Sequence, residues 1–147
     1  MGNRAVLVWK DRNGQYDDNT TGVYLHWNGG RDSIEAFLAY CGMKDMKSPS
    51  ESISVGLGNF TDVVSGFFRS RRSIDIDRLS ELDQDNGDNG VYVCDGWKIV
   101  DRKYFDGEEQ TEYDFRGMVH CINNRQAEPF DSDDLDRKID AWLEANA

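Results

Sequence analysis

Asn28-Gly29-Gly30-Arg31 puts two bare backbone positions and a cation where an alternating strand, Val23, Leu25 and Trp27 against Tyr24 and His26, gives way to a helix. Adjacent glycines permit positive φ and let backbone N–H groups approach a ligand that a side chain would obstruct. The dipole of the following helix favours an anion at the same place, and Arg31 adds a full charge. A glycine turn followed by a surface arginine is the other reading of this spacing. Two further groups suit the same chemistry. Asp83 to Gly90, DQDNGDNG, carries Asn86 and Asn89, whose amides can both donate and accept toward a ribose or base edge. Arg102 and Lys103 are neighbours on an expected strand and so point to opposite faces, where a rigid backbone would present one of them to a phosphate. Trp27, Trp97, Tyr104 and Phe105 offer rings for stacking or for the core.

The elements that would hold these residues can be read from periodicity. Arg4–Lys10 and Gly22–Trp27 are expected strands, and Ile34, Phe37, Leu38 and Cys41 form the apolar face of a helix capped by Asp32 or Ser33, with Glu35 in a capping box. Further expectations are a helix over Ser52–Phe68, a strand over Ser73–Leu79 beyond the basic cluster Arg69, Arg71 and Arg72, and a hairpin of Val91–Cys94 with Trp97–Tyr104 through Asp95-Gly96. Asp114 should cap a helix with Phe115, Met118, Val119 and Ile122 on one face. Ser132 should cap another carrying Leu135, Ile139, Trp142 and Leu143. The tally is α+β: an antiparallel sheet with helices packed on one side and a helical C-terminal extension. We divide the chain into one ligand-binding domain over 1–129 and a helix over 130–147 that packs on that core or on a neighbouring subunit.

The chain has 147 residues, 38% of them hydrophobic, and a formal charge of −11. That charge argues against a long nucleic acid as partner, because such binding neutralises many phosphates with Lys and Arg. A small anion is still admissible, since converging cations act within a Debye length of about 10 Å. No stretch reaches the roughly 18 to 20 apolar residues of a membrane span, so no membrane partner is expected. Cys41, Cys94 and Cys121 are odd in number and lack a C-x-x-C pair, which favours reduced thiols over a disulfide framework or a zinc site. In DQDNGDNG the order Gly87 then Asp88 departs from a calcium loop, and no metal or cofactor is expected. Motifs of hydrolases and phosphate-binding Walker loops are missing, His26 and His120 are the two imidazoles, and nothing selects a carboxylate pair, so the reading is a binder and not an enzyme.

The runs VYLHWNGGRDSIEAFL, LDQDNGDNGVYV and WKIVDRKYFDGEEQTEYD, in this order and spacing, resemble a family of phage and prophage proteins, the Thoeris anti-defence proteins of the first type. The resemblance covers about two-thirds of the chain. It implies a sponge: a protein that sequesters the cyclic ADP-ribose isomer made by an activated TIR-domain enzyme without cleaving it, in the cytoplasm of the infected bacterial host. It further implies a homo-oligomer, dimer or hexamer, and in some members cyclic oligonucleotides at separate sites. By the same comparison Arg31, Asn86, Asn89 and Arg102 are the ligand contacts. Leu57 and Asn59 stand where the relatives carry a Trp and an Arg, and the 130–147 segment is longer than usual; both departures bear on the isomer captured. Other readings of so acidic a chain are a protein-binding or DNA-mimicking inhibitor of host defence and a nucleotide-cleaving enzyme.

Overall fold

The computed structural model describes residues 3–10, 13–15, 22–25, 29–47, 84–109 and 114–147. The expected helix over 52–68, the strand over 73–79, the basic cluster at 69–72, and His26, Trp27, Asn28, Leu57 and Asn59 lie outside the described residues. The described elements are β1 (Ala5–Trp9), β2 (Gly22–Leu25), α1 (Arg31–Met43), β3 (Val91–Asp95), β4 (Lys98–Lys103), α2 (Phe115–Asn124) and α3 (Ser132–Ala145).

The fold is α+β, but the sheet is mixed and not antiparallel as expected from the sequence. Its order is β2-β1-β3-β4, with β1 antiparallel to β2, β3 antiparallel to β4, and β1 parallel to β3. The reason lies in the composition of the two central strands. AVLVW and VYVC are unbroken apolar runs, the pattern of strands buried on both faces. Ala5, Leu7, Trp9, Tyr92 and Cys94 share the core with α1, α2 and α3, while Val6, Val8, Val91 and Val93 on the opposite face are buried as well. The described helices thus lie on one face of a sheet whose two central strands are buried on the second face as well.

β3 and β4 form the expected hairpin with the loop moved one residue on. Asp95 pairs with Lys98, so the loop is Gly96-Trp97, and Gly96 at φ 60° leads it, as in a type II′ turn. This register turns Trp97 toward the core, where it meets the edge of Trp9 at 6.4 Å between centroids and its Nε1 donates to the Met46 carbonyl at 3.0 Å.

α1 is buried on more than the stripe Ile34, Phe37, Leu38 and Cys41, since Ser33, Ala36, Ala39 and Tyr40 are buried too. Tyr40 donates to Asn123 Oδ1 at 2.8 Å, and that oxygen also accepts from the Phe130 N–H at 2.9 Å, which ties α1 to the α2–α3 connection. Asp114 caps α2 as expected, accepting from the Gly117 N–H at 2.7 Å. α3 is capped one residue earlier than expected: Asp131, not Ser132, accepts from the N–H groups of Asp133 and Asp134. Leu135 and Ile139 enter the same core as the sheet, Trp142 stacks on Phe115 at 4.5 Å, and Leu143 stays exposed.

On the outer side of the α2–α3 contact, Asp136 accepts from His120 Nε2 at 2.7 Å and from Arg116 at 3.0 Å. These contacts, the His120 hydrogen bond first, hold the Asp136 carboxyl below its usual 3.8. A carboxyl lowered on folding contributes stability that is complete above its unfolded value and vanishes as the pH falls through the folded one. Asp136→Asn is therefore expected to lower the melting temperature near neutral pH and to converge with the parent as the pH drops below the ordinary carboxylate value, as read by thermal unfolding across that range.

Candidate functional site

One end of the sheet gathers the start of β1, the start of β3, the end of β4 and the entry to α1. Its framework is the loop over 86–90, laid along residues 3 and 4. The Asn89 N–H and its Nδ2 both donate to the Arg4 carbonyl, at 3.1 and 2.8 Å, and Asn89 Nδ2 also donates to Asn3 Oδ1 at 2.6 Å. Arg4 answers through Asp88, donating from its backbone N–H at 3.1 Å and from Nε at 2.7 Å. Asn86 fixes the turn itself. Its Oδ1 accepts from the N–H groups of Asp88 and Gly90, at 2.9 and 3.1 Å, and its Nδ2 donates to the Gly90 carbonyl at 3.1 Å.

Gly29 enters this end from the other side. A Cβ there would stand 2.5 Å from the Asn3 carbonyl oxygen and 2.7 Å from the Ala5 Cβ, so glycine is required by close approach to β1. Its N–H donates to the Asn3 carbonyl at 2.8 Å, and its own carbonyl accepts from the buried Tyr92 hydroxyl at 2.6 Å. The glycine pair thus serves the scaffold in a way the sequence did not suggest: Gly30 is extended at φ −63°, and the Gly29 N–H is spent inside the chain. Gly30, and not Asp32 or Ser33, is the N-cap of α1, and it brings no side chain to cap that helix. The first N–H groups of α1, which lie at this end, therefore receive no hydrogen bond from an N-cap side chain. Glu35, expected in a capping box, pairs with Arg31 Nε at 2.8 Å.

Arg102 lies on the helix-side face of β4, opposite Tyr92 in register. Its guanidinium carbon sits 4.3 Å from the Tyr92 ring centroid and 3.7 Å from that of Phe105. Nε donates to the Asn89 carbonyl at 3.1 Å, Nη2 reaches Asn89 Oδ1 at 3.4 Å, and Nη1 pairs with Glu109. Burial pushes the Tyr92 hydroxyl up, and the charges of Arg102, Glu109, Arg31 and Glu35 all act on it. Arg102 covers the ring of this buried phenol, and its hydroxyl is bound by Gly29, two residues before Arg31.

Of the residues singled out in the sequence, Gly29, Gly30, Arg31, Asn89 and Arg102 meet at this end. Asn86 is next to them, with its amide committed to the loop. Lys103 is on the other face of β4, paired with Asp101 at 3.2 Å, and Asn28 lies outside the described residues. Sequence reasoning missed Asn3 and Glu109. Asn3 is 2% exposed, and its Nδ2 has no hydrogen-bond partner among the described residues, which leaves a buried donor at the seam between the α1 entry and the loop. Nothing in the residue type of a third position in the chain signals this. Glu109 had a signal, since it ends an acidic stretch shortly after a strand arginine.

No protein-family model, no curated protein and no solved structure matches the chain.

The division between scaffold and surface is testable. Asn86→Ala removes two acceptor contacts and two donor contacts from a buried loop and is expected to cost about 2 to 4 kcal/mol. Lys103→Ala, on an exposed pair, should change stability by no more than about 0.5 kcal/mol. Urea unfolding of both variants measures the difference.

Proposed function

We propose that this chain is an anti-defence binding protein that sequesters a compact cyclic ADP-ribose-type signalling nucleotide and releases it chemically intact. One observation carries the reading: the start of α1 with Arg31, the Asn3 Nδ2 left without a partner among the described residues, and Arg102 on the Tyr92 ring lie at one end of the sheet. Helix N–H groups and guanidinium forks are the donors that recognise phosphate oxygens, and a fixed sheet end holds them in place before the ligand arrives. Aromatic faces are present in the same cluster, with Phe105 against Arg102. The nucleotide class comes from the resemblance of three stretches of the chain to the Thoeris anti-defence proteins, which also points to a homo-oligomer in the cytoplasm of an infected bacterium. Such a protein withdraws the messenger from its effector. Tight capture is what the role demands, and bond cleavage is not.

The acidity of the chain fits this role. A charge of −11 repels long polyanions, whereas a ligand with two phosphates can lie across a few cations at close range.

Calorimetric titration with cyclic ADP-ribose isomers, followed by heat release and chromatography, tests the proposal. A sponge returns the isomer it was given; fragments would mark an enzyme. A stable complex with a defence protein, in the absence of any nucleotide binding, would favour a protein-directed inhibitor. Arg31 is 41% exposed and paired along its own helix, so it can be removed without opening the core. Arg31→Ala is expected to weaken nucleotide binding by about 1.5 to 3 kcal/mol, the worth of a charge-assisted hydrogen bond, with the melting temperature nearly unchanged.

A further inference from the structure

We propose that Glu109 is an internal placeholder for a ligand phosphate: its carboxylate holds Arg102 in the unliganded chain, and binding exchanges that carboxylate for a phosphate oxygen. The inference rests on the anion-binding reading above and adds the residue that sets which anions succeed.

Arg102 is built to stay where it is. Its side chain is 11% exposed, with rings on both sides and two of its nitrogens directed to Asn89. The third nitrogen, Nη1, is met by Glu109, whose side chain is 41% exposed. The partner is thus the more exposed member of the pair, carried by the exposed segment Asp106, Gly107 and Glu108. Gly107 has a φ of 140°, and a Cβ there would meet nothing within 4 Å, so the segment can rearrange without a steric barrier at that position. An anion docking on Arg102 therefore displaces Glu109 and leaves the guanidinium fixed.

The exchange selects by charge. A tethered carboxylate competes at an effective concentration on the order of millimolar, which a free monocarboxylate matches poorly. A pyrophosphate carries more charge and can span neighbouring donors, so it can pull Arg102 from Glu109 while its second phosphate meets the α1 entry. The Arg31–Glu35 pair at the start of α1 repeats the arrangement of a guanidinium resting on a glutamate. The ligand class implied is a molecule with two adjacent phosphates.

Inorganic pyrophosphate is the probe, titrated into the full chain and into Glu109→Gln and Glu108→Gln. The two substitutions remove the same charge one residue apart, and only the first touches Arg102. Glu109→Gln is expected to bind about tenfold more tightly than the parent, since the ligand no longer displaces a charge-assisted contact. Glu108→Gln should stay within about twofold of the parent, as expected for screened surface charge. Glu109→Asp, which keeps the charge and shortens its reach, should show a smaller gain in the same direction, and melting curves confirm that each variant is folded. Equal affinities for the Gln variants, with the parent still binding a cyclic ADP-ribose isomer, would overturn the placeholder and leave the site standing. Failure of parent and variants alike to bind pyrophosphate or any isomer would remove the site itself.

Discussion

A guanidinium held between two rings organises this end of the molecule. Arg102 carries a full charge at low exposure, and such a charge is tolerated only when its donors are met. Tyr92 and Phe105 cover its faces, Asn89 takes two nitrogens and Glu109 the third. Those four partners come from three stretches of chain, so satisfying one side chain fixes β3, the 86–90 loop and the segment after β4 relative to one another. The loop in turn is bound to residues 3 and 4, and these to Gly29 and the entry of α1. The network is stabilising as a unit, and removal of the Asn89 amide would leave buried donors and acceptors unpaired.

Glycine makes the network geometrically possible. Gly90 has φ 68°, and a Cβ on it would fall 2.2 Å from the Lys103 carbonyl oxygen and 2.7 Å from the Tyr104 carbonyl carbon. The start of β3 and the end of β4 therefore touch backbone to backbone. Just beyond, Tyr104 adopts a left-handed φ of 58°, costly for a non-glycine residue, and the turn it makes precedes Phe105, which covers the face of Arg102. Local strain here is offset by the packing of the aromatic ring on the cation.

Much of the fold was legible in the residues. The strand at 5–9, the helix that follows the glycine pair, the hairpin, and the helices after Asp114 and near Ser132 follow from periodicity, turn residues and, for α2, its cap, whereas α1 starts at Arg31, ahead of the expected Asp32 or Ser33 cap. The pairing of β1 with β3 was not legible, because strand order depends on which edges meet in three dimensions, and an unbroken apolar run such as AVLVW has no face preference to announce it. At the site, residue types marked Gly29, Arg31 and Arg102 as capable of anion recognition and Asn89 as a partner for a ribose or base edge, and their proximity is a product of the fold. The same types gave no warning that Asn86 would be consumed as a loop brace or that Lys103 would face away, since an amide's partners and a strand's outward face are both set by neighbours distant in sequence.

The parallel seam has a kinetic consequence. The hairpin of β3 and β4 closes through two residues, and isolated hairpins form in about 1 to 10 microseconds. The contact between Arg4 and Asp88 spans 84 positions, so uniting β1 with the hairpin requires closure of a long loop before any of its hydrogen bonds form. Assembly of the sheet centre, and with it the gathering of Asn3, Asn89 and Arg102, is accordingly a late event on the folding route: the hairpin waits as a ready edge until the chain's beginning returns to it.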